Sequence, residues 1–465
     1  MNLKELNFYY NKFKFGEDNF HNLMKNGVRE ILLVSTFYDA FIFEQDGRLS
    51  EQIFGEYRQL NLSTAPRVTS VPTGTQALEL LETQDFDLVI TMMRIGEISP
   101  FQLAKMIKQN HPNLPILLLL NVQSDLVLVN NNEGDMDCID DVFIWNGDTK
   151  LFLAMIKQQE DIQNVEYDTK FGFVRVILLV EDNIVYYSMF LPLLYSEILK
   201  QTQRLISEEL NDINKRLRMR ARPKVLLVHT YEEAVEYFDR YQDYIVGVIS
   251  DVKFKRNGKL DPNAGINLID YIHKSEKADI PITLQSSEEE NKAHAHKIGA
   301  DFLNKNSKTL LHDLRNLIIR DLGYGDFIFR NAKGKEIDRA RTMFEFGQKL
   351  ETIPEESLLY HSRHKHFSGW LVAHGEIQLA KQVRPLKVEE FESVKALREY
   401  LLNIYRQVRR SRVRGKIVKF EPSTIPEKDQ IIRLADGSLG GKGRGLAFLN
   451  ALLVTMEFEK RFPDV

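Results

Sequence analysis

The chain has 465 residues, a formal net charge of −4 and a hydrophobic fraction of 43%, values typical of a folded globular protein rather than a disordered chain. The small net charge argues against a protein that coats nucleic acid. A single cysteine, Cys138, excludes an internal disulfide and fits a reducing compartment. The N-terminus lacks the apolar core of a signal peptide, and no apolar run is long enough to cross a bilayer. We therefore expect a cytoplasmic protein of about three domains, without a membrane role of its own.

Residues 1–27 carry scattered leucines and phenylalanines that predict a helical arm. In residues 28–165, short apolar runs alternate with helical patterns. Strands are predicted at Glu30–Val34, Arg67–Val71, Asp87–Ile90, Pro115–Leu120 and Val142–Ile144. Strands that alternate with helices predict a parallel, doubly wound α/β sheet.

Residues 172–322 repeat this rhythm, and here each of four strands ends on a polar side chain. Glu181 and Asp182 follow Val176–Val180, and Asp251 closes the run that begins at Tyr244. Ser286 follows the run from Ile280, and Lys305 closes the run from Ala300. Sites in open α/β sheets form at the carboxyl ends of the strands. Adjacent carboxylates repel each other unless a cation joins them, and oxygen ligands suit Mg²⁺.

This order of strand-end residues resembles the receiver domain of two-component response regulators. The resemblance implies a flavodoxin-like sheet of five parallel strands, with Asp251 as the phosphoacceptor. It implies that Glu181, Asp182, Asp251 and the backbone carbonyl of Lys253 hold Mg²⁺. It further implies that Ser286 and Lys305 contact the phosphoryl oxygens and that Phe302 is the aromatic switch residue.

The same chemistry follows from the residue types. A carboxylate accepts a phosphoryl group as an acyl phosphate. The incoming group brings negative charge into an acidic site, and a divalent cation and a fixed ammonium offset that charge. Each residue alone has a simpler explanation as a solvated strand end or a surface lysine. Four matches in chain order favour the site.

The first sheet lacks these groups. Ser35 and Thr36 stand where the second copy has its acid pair, and Met92 stands in place of Asp251. Asn121 and Trp145 stand in place of the serine and the lysine. Without a carboxylate no acyl phosphate forms, so residues 28–165 are predicted to be a pseudo-receiver that serves packing, dimerisation or docking.

Two segments depart from the receiver pattern. About forty residues separate Asp182 from Lys224, roughly twice what one crossover helix needs. Their apolar stripe predicts a long helix over 186–220, whose partner is a second copy in a homodimer, the pseudo-receiver or the C-terminal region. The loop after Asp251 is long and basic, and it is expected to shield the site or to select the phosphoryl donor. Asn183 lies beside the pocket, where receivers tune hydrolysis.

Residues 323–425 are predicted to be a mostly helical linker, with helices over Phe367–Val383 and Leu386–Arg410. His361, His364 and His366 cluster before the first of these helices. A zinc site needs four placed ligands, so we favour packing roles for the three histidines. A basic cluster over 406–416 has little aromatic interleaving, which does not favour nucleic-acid binding.

Residues 430–465 hold a glycine-rich loop, Gly440-Gly441-Lys442-Gly443, that opens an apolar helix. Such a loop lets backbone N–H groups and a lysine approach phosphates. The segment resembles the opening of the nucleotide-binding domain of pyruvate phosphate dikinase and phosphoenolpyruvate synthase. The resemblance implies that Lys442 lies at an ATP site. It also implies that the chain is the N-terminal part of a longer phosphotransferase and has no dikinase activity as it stands.

Two functions remain open. In the first, a histidine kinase or a small acyl phosphate phosphorylates Asp251, and the signal passes to a phosphoenolpyruvate synthase-like output. In the second, both receivers form an interaction scaffold that is not phosphorylated. The only enzymatic activity expected of this chain is receiver autophosphorylation.

Overall fold

The structure is a computed structural model that describes residues 23–39, 49–60, 62, 65–172, 174–206, 219–275, 280–321, 325–374, 377–383, 385–413, 417–419, 431–434 and 440–455. The chain divides into two compact units. One contains Asn22–Gly325, and the other contains most of the chain from Asp326 onward. In the described ranges, no helix has both the length and the apolar character that a bilayer crossing requires.

The first fold, residues 30–172, is a parallel sheet of five strands with order β2-β1-β3-β4-β5. Its strands are β1 (Glu30–Val34), β2 (Arg67–Val71), β3 (Leu88–Met92), β4 (Ile116–Leu120) and β5 (Asp141–Ile144). Its helices are α1 (Leu49–Gln59), α2 (Gly74–Leu81), α3 (Pro100–Asn110), α4 (Leu126–Asn131) and α5 (Lys150–Gly172), with 3₁₀ turns at Gln123–Asp125 and Glu133–Cys138.

The second fold, residues 176–321, repeats this topology with order β7-β6-β8-β11-β12, again entirely parallel. Its strands are β6 (Val176–Val180), β7 (Lys224–Val228), β8 (Ile245–Asp251), β11 (Ile282–Ser286) and β12 (Asp301–Asn304), and a hairpin, β9 (Phe254–Arg256) and β10 (Lys259–Asp261), follows β8. Its helices are α6 (Ile184–Ile206), α7 (Tyr231–Tyr241), α8 (Ala264–His273), α9 (Asn291–Lys297) and α10 (Leu310–Asp321). The predicted fold class is confirmed.

The central strands form because helices cover both faces of each sheet. All five residues of β4 and of β6 are buried, which explains why these strands are continuous apolar runs rather than alternating ones.

The starts of some helices are set by local side-chain hydrogen bonds. The Thr230 hydroxyl accepts from the Glu233 N–H while the Glu233 carboxylate accepts from the Thr230 N–H, a capping box that begins α7.

Helix α5 joins the two folds. Every residue from Leu151 to Asp161 is buried, polar ones included. A helix covered on one side buries only a stripe, so burial all round means that α5 has neighbours on both sides. It contacts α1 of the first fold and α6 and β7 of the second, and one apolar core contains residues of both folds. The two folds therefore share this core, and the second fold also has a core of its own.

A buried ion-pair network lies at this junction. Oδ2 of Asp161 in α5 accepts hydrogen bonds from Arg222 Nη1, the Val225 N–H and the Tyr195 hydroxyl, each at 2.9 Å. Oδ1 of Asp161 lies 2.8 Å from Arg222 Nη2. Both charged side chains are at most 1% exposed. The Asp161 carboxylate of the first fold thus fixes the position of β7 and of α6 in the second fold.

A neighbouring pair extends the network. Lys224 Nζ lies 2.9 Å from Asp168 Oδ2 and 3.6 Å from Asp161 Oδ1, and all three side chains are fully buried. The Met24 N–H donates to Asp168 Oδ1 at 3.1 Å. The charges balance within the cluster, as buried charges must.

The long helix predicted over 186–220 is described as far as Ile206, and residues 207–218 lie outside the described part of the chain. Leu191, Tyr195 and Ile198 of its apolar stripe are completely buried. They belong to the core shared with the first fold, and α6 contacts α5, β5 and α10. Of the three partners considered for this stripe, its described part packs against the first fold. Homodimerisation through the helix stays a prediction.

The second unit is mostly helical, as expected, but it also contains strands. A hairpin of β13 (Phe327–Arg330) and β14 (Glu336–Ala340) precedes the helices, and β15 (Ile417–Lys419) pairs in parallel with β16 (Ile431–Arg433). The helices are α11 (Met343–Thr352), α12 (Glu355–Arg363), α13 (His366–Ala373), α14 (Ile377–Val383), α15 (Val394–Val413) and α16 (Gly441–Thr455), with a 3₁₀ turn at Val388–Glu390. The helix predicted over Phe367–Val383 is thus two helices.

Candidate functional site

Three carboxylates meet at the carboxyl edge of the second sheet. Glu181 and Asp182 directly follow β6, and Asp251 is the last residue of β8. These two strands are neighbours on either side of the point where the strand order reverses, which is where open α/β sheets bind ligands. One oxygen from each of the three carboxylates lies within 4.8 Å of the others. The structure thus brings together the three carboxylates that were singled out from the sequence.

Lys305, which follows β12, reaches into the same cluster. Its Nζ lies 2.6 Å from Glu181 Oε2 and 2.7 Å from Asp251 Oδ2, and the side chain is 4% exposed. The ammonium also lies 4.4 Å from the centre of the Tyr186 ring. Contacts with two carboxylates and one aromatic ring therefore fix the direction in which the Lys305 side chain points, which is toward the sheet edge.

The site is electrostatically unbalanced. Three carboxylates and one ammonium leave a net charge of about −2 when all four are ionised, and this charge is partly withdrawn from water. Burial raises the pKa of the Glu181 carboxyl to about 8; the Lys305 ammonium opposes this rise and the Asp251 carboxylate adds to it. Burial and Asp251 also raise the pKa of Asp182. A divalent cation would stabilise the ionised forms of these carboxylates, which burial disfavours.

Two of the three carboxylates are also oriented by neutral donors. Glu181 Oε2 accepts from Gln285 Nε2 at 2.7 Å, and Oε1 accepts from the Asn183 N–H at 3.1 Å. Asp251 Oδ1 accepts from the Val252 N–H at 2.7 Å. Gln285 is completely buried and was not singled out from the sequence. Its position one residue before Ser286, on the strand next to β8, was the available signal.

The donor set fits Mg²⁺. The ligands are oxygen atoms only, they come from three carboxylates, and they face the open edge of a sheet where water can complete the coordination. In the described part of the chain, this is the one group of three or more acidic, histidine or cysteine side chains that meets the spacing of a metal site. The fourth ligand implied by the resemblance, the Lys253 carbonyl, belongs to an exposed residue two positions after Asp251.

Ser286 lies at the end of β11, and its hydroxyl oxygen accepts two hydrogen bonds. The donors are the Glu288 N–H at 3.1 Å and Asn291 Nδ2 at 2.9 Å. Because both donors approach the oxygen, its hydrogen is left to donate toward another acceptor. Phe302, the predicted switch residue, is half-buried in β12. Asn291 is a neighbour that the sequence did not reveal.

The long loop after Asp251 is an ordered hairpin rather than an irregular loop. Its turn, Asn257-Gly258, has φ angles of 51° and 71°, which both central residues of a type I′ hairpin turn require. Phe254 is fully buried beneath it. The Asn257 N–H donates to Glu232 Oε1 at 3.0 Å, and Arg256 lies 4.4 Å from the Tyr231 ring centre. The hairpin is thus anchored on the start of α7.

Helix α8 approaches Asp251 too closely for any residue but glycine. A Cβ on Gly265 would lie 2.1 Å from the Asp251 carbonyl oxygen. We expect Gly265→Ala to lower the free energy of unfolding by about 1–3 kcal/mol and to weaken metal binding, because the Asp251 backbone must move. Urea unfolding and calorimetric Mg²⁺ titration measure the two effects. The control, Gly55→Ala in α1, has nothing within 4 Å and should stabilise by about 0.5–1 kcal/mol. Equal behaviour of both variants would contradict the steric argument.

The solved structures similar to this chain include receiver domains. The signal receiver domain of an HD domain-containing protein from Pseudomonas fluorescens Pf-5 is 24% identical, with 29% of this chain and 89% of that chain covered and a TM-score of 0.22. A putative two-component response regulator/GGDEF domain protein is 15% identical, with 62% and 99% covered and a TM-score of 0.27. The BeF3-activated DrrB receiver domain is 18% identical, with 28% and 97% covered and a TM-score of 0.21. No protein-family model and no curated protein matches the chain.

The strand order of the two sheets establishes the fold, and the acid cluster indicates the chemistry.

The corresponding edge of the first fold contains a different arrangement. Asp39 accepts from the Thr36 hydroxyl at 2.7 Å and from the Asn121 side-chain amide. Met92 is buried at the end of β3, where the second fold has Asp251. Asp39 is thus satisfied by neutral donors, and Asp125, which follows β4, pairs with Arg94 at 2.9 Å. Among the described residues, no group of three acidic side chains like that of the second fold lies at this edge.

The three histidines of the second unit form part of an aromatic cluster. His361 Nε2 accepts from the Arg330 N–H at 2.7 Å, and its Nδ1 lies 3.0 Å from His366 Nδ1. His364 Nδ1 lies 2.7 Å from the Tyr360 carbonyl. Burial lowers the pKa of His361 to about 3, and His366 adds to the effect. Both nitrogens of His361 are engaged within the protein, so packing explains this residue without a metal.

Lys442 is exposed in the first turn of α16. Residues 435–439, which precede the glycine-rich loop, lie outside the described residues. Gly440 and Gly441, which precede the lysine, are also exposed, and a Cβ on either would have no neighbour within 4 Å. The structure thus places Lys442 at the start of α16.

Proposed function

We propose that the second fold is a phosphoryl-accepting signalling module of the receiver type, with Asp251 as the acceptor. The observation that carries this proposal is the convergence of three carboxylates and one buried lysine at the switch point of a doubly wound sheet. An acid cluster of this charge needs a cation, and the lysine lies directly against the carboxylate that would be phosphorylated.

In the proposed reaction, an Asp251 carboxylate oxygen attacks the phosphorus of the donor. The bond between phosphorus and the donor's leaving group breaks, and an acyl phosphate forms on Asp251. The donor is a histidine kinase or a small acyl phosphate. Lys305 neutralises charge on the transferred group, and the free hydrogen of the Ser286 hydroxyl donates to a phosphoryl oxygen.

Glu181, Asp182, Asp251 and the Lys253 carbonyl are the proposed ligands of Mg²⁺. When bound, Mg²⁺ supplies positive charge that offsets both the three carboxylates and the incoming phosphoryl group. Because Lys305 contacts Glu181 and Asp251 together, phosphorylation of Asp251 must rearrange this contact. We propose that the rearrangement reaches Ser286 on β11, which adjoins β8, and the switch residue Phe302 on β12, which adjoins β11.

The first fold is proposed to be a packing and interaction module without the reaction. Its shared core with the second fold supports this role. A scaffold function for both folds, without phosphorylation, is the alternative, and the same shared core favours it. We also propose that the output resembles phosphoenolpyruvate synthase or pyruvate phosphate dikinase and that Lys442 binds a nucleotide there. The Gly-Gly-Lys-Gly motif is the support for this proposal.

Beryllofluoride binding tests the proposed site without a donor kinase. Beryllofluoride mimics a phosphoryl group on a carboxylate, so the full-length chain should bind it only when Mg²⁺ is present, which ¹⁹F NMR detects. Asp251→Asn should abolish the bound signal, and Asp137→Asn, at an exposed carboxylate of the first fold, should leave it unchanged. Binding without Mg²⁺, or equal binding by Asp251→Asn, would contradict the proposal. No binding at all would favour the scaffold.

A further inference from the structure

The edge strand of the first sheet contacts the acid loop of the second fold through a histidine. His229, which follows β7, has its Nδ1 2.8 Å from the backbone carbonyl of Glu181. Its Nε2 lies 3.3 Å from Oδ1 of Asp141, the first residue of β5. A single side chain therefore links a carboxylate of the first fold to the peptide that carries a proposed metal ligand.

The Asp141 end of this link is built into the shared core. Asp141 is 9% exposed, and its Oδ2 accepts from Gln158 Nε2 at 2.7 Å. Gln158 is 1% exposed in α5. Both oxygens of Asp141 are thus engaged, one by its own fold and one by His229. A carboxylate held in this way is a fixed point rather than a mobile surface group.

Two further contacts bring the same strand against the first helix of the second fold. The Tyr187 hydroxyl donates to the Val142 carbonyl, and the Ile144 N–H donates to the Ser188 hydroxyl at 3.1 Å. Tyr187 and Ser188 follow the acid pair by only a few residues. Strand β5 is an edge strand, and its outer backbone groups bond to side chains of the helix that begins beside the acid cluster instead of to another strand.

Glu181 is consequently held from two directions. Its carboxylate lies in the cluster with Lys305 and Asp251, and its carbonyl accepts from His229. Its N–H donates to the Val228 carbonyl at 3.0 Å, directly before His229. Groups that orient a metal ligand commonly change metal affinity by about 10–100-fold when they are removed. The contact with Asp141 is such an orienting contact, and it comes from the other fold.

We propose that the first fold is a fixed positioning partner of the acid cluster: Asp141, acting through His229, holds the Glu181 loop in its metal-binding geometry, and occupation of the cluster is transmitted to β5. This inference rests on the proposed function, because it assumes that the cluster binds Mg²⁺. His229 and Asp141 are positioning residues and touch no reacting atom. By thermodynamic linkage, if the contact with β5 strengthens Mg²⁺ binding, Mg²⁺ binding must stabilise that contact by the same free energy.

Trp145 offers a readout in the first fold. It directly follows β5, and its backbone N–H donates to the Leu120 carbonyl at 2.8 Å. The centre of its ring lies 5.6 Å from the centre of the Phe152 ring. The chain has two tryptophans, so Trp370→Phe leaves Trp145 as the only one. In this background, calorimetry measures Mg²⁺ affinity at the second fold, and tryptophan emission reports any change at β5.

We expect Trp145 emission to change as Mg²⁺ is added and to saturate at the same Mg²⁺ concentrations as the binding heat measured by calorimetry. His229→Gln and Asp141→Asn should each weaken Mg²⁺ binding by about tenfold and abolish the emission change. The double variant should lose no more than either single variant, because both remove one contact. The control Glu236→Gln, at an exposed ion pair on α7, should bind and respond as the parent does.

The outcomes separate the two claims. If the parent binds Mg²⁺ but Trp145 does not respond, or if both variants retain the parent's affinity, the positioning role is wrong and the proposed site stands. If the parent does not bind Mg²⁺ at all, the proposed site fails and the positioning role fails with it. Circular dichroism spectra and unfolding midpoints identify a variant that fails to fold. Since either single variant tests the contact, loss of one still leaves the other decisive.

Discussion

Asp161→Asn should lower the free energy of unfolding of the unit that contains both sheets by about 3–5 kcal/mol. The carboxylate is the shared acceptor for Arg222, the Val225 N–H and Tyr195, and none of these groups reaches water. The amide keeps the shape but removes the countercharge of a guanidinium that is 1% exposed. An uncompensated buried charge costs far more than an ion pair contributes at a surface.

Urea unfolding followed by circular dichroism measures this loss. The matched control is Glu236→Gln, which removes an exposed ion pair with Arg240 on α7 and should cost no more than about 0.5 kcal/mol. A loss for Asp161→Asn that does not exceed the control would show that the junction does not depend on this network. Separate unfolding transitions for the two sheets, with the variant affecting only one of them, would contradict the shared core.

Lys305→Met should have the second large effect, and it should depend on metal. Without Mg²⁺, the variant leaves Glu181 and Asp251 facing each other with no cation, so we expect a loss of about 3 kcal/mol in the free energy of unfolding. Mg²⁺ should recover most of it, because ligand binding to the folded state alone stabilises that state. The stabilisation by Mg²⁺ should therefore be larger in the variant than in the parent.

Thermal unfolding with and without Mg²⁺ measures both quantities. Lys292→Met is the control, since this lysine is half exposed and pairs with Glu289 on the surface. It should change stability by less than about 0.5 kcal/mol under either condition. If Lys305→Met is as stable as the parent without metal, the lysine does not balance the cluster, and the electrostatic argument for the cation fails.

Much of the fold was predictable because parallel strands leave a strong sequence signal. Runs such as Val176–Val180 are buried on both faces, so they are apolar throughout and bounded by polar residues. The observed strands of both sheets agree with the predicted ones to within a few residues. The hairpin of β13 and β14 was missed because its strands are short and its second strand, Glu336–Ala340, is largely polar.

The side chains that meet at the sheet edge could be singled out from the sequence because they lie at the ends of these strands. What the sequence did not show is which polar side chains meet across long separations. Asp161 and Arg222 are 61 residues apart and belong to different folds, and each alone looks like a surface residue. The same holds for Asp141 and His229. Partners of this kind depend on how the two folds pack, which no local pattern contains.

The turn after Asp251 is a different case. Asn257-Gly258 is a strong hairpin signal, and it lies between two short segments that pair as β9 and β10. The length and basic charge of the segment are typical of an irregular loop, but the turn residues alone predict the hairpin.

The most direct test of the central claim is the intact mass of the chain after incubation with Mg²⁺ and acetyl phosphate. We predict one phosphoryl group per chain, absent without Mg²⁺ and absent in Asp251→Asn, and retained in Asp137→Asn. Beryllofluoride bound at the same site without any adduct would mean that the pocket works and requires a particular kinase. An adduct that persists in Asp251→Asn, or neither adduct nor beryllofluoride binding, would contradict the assignment of Asp251 as the phosphoacceptor.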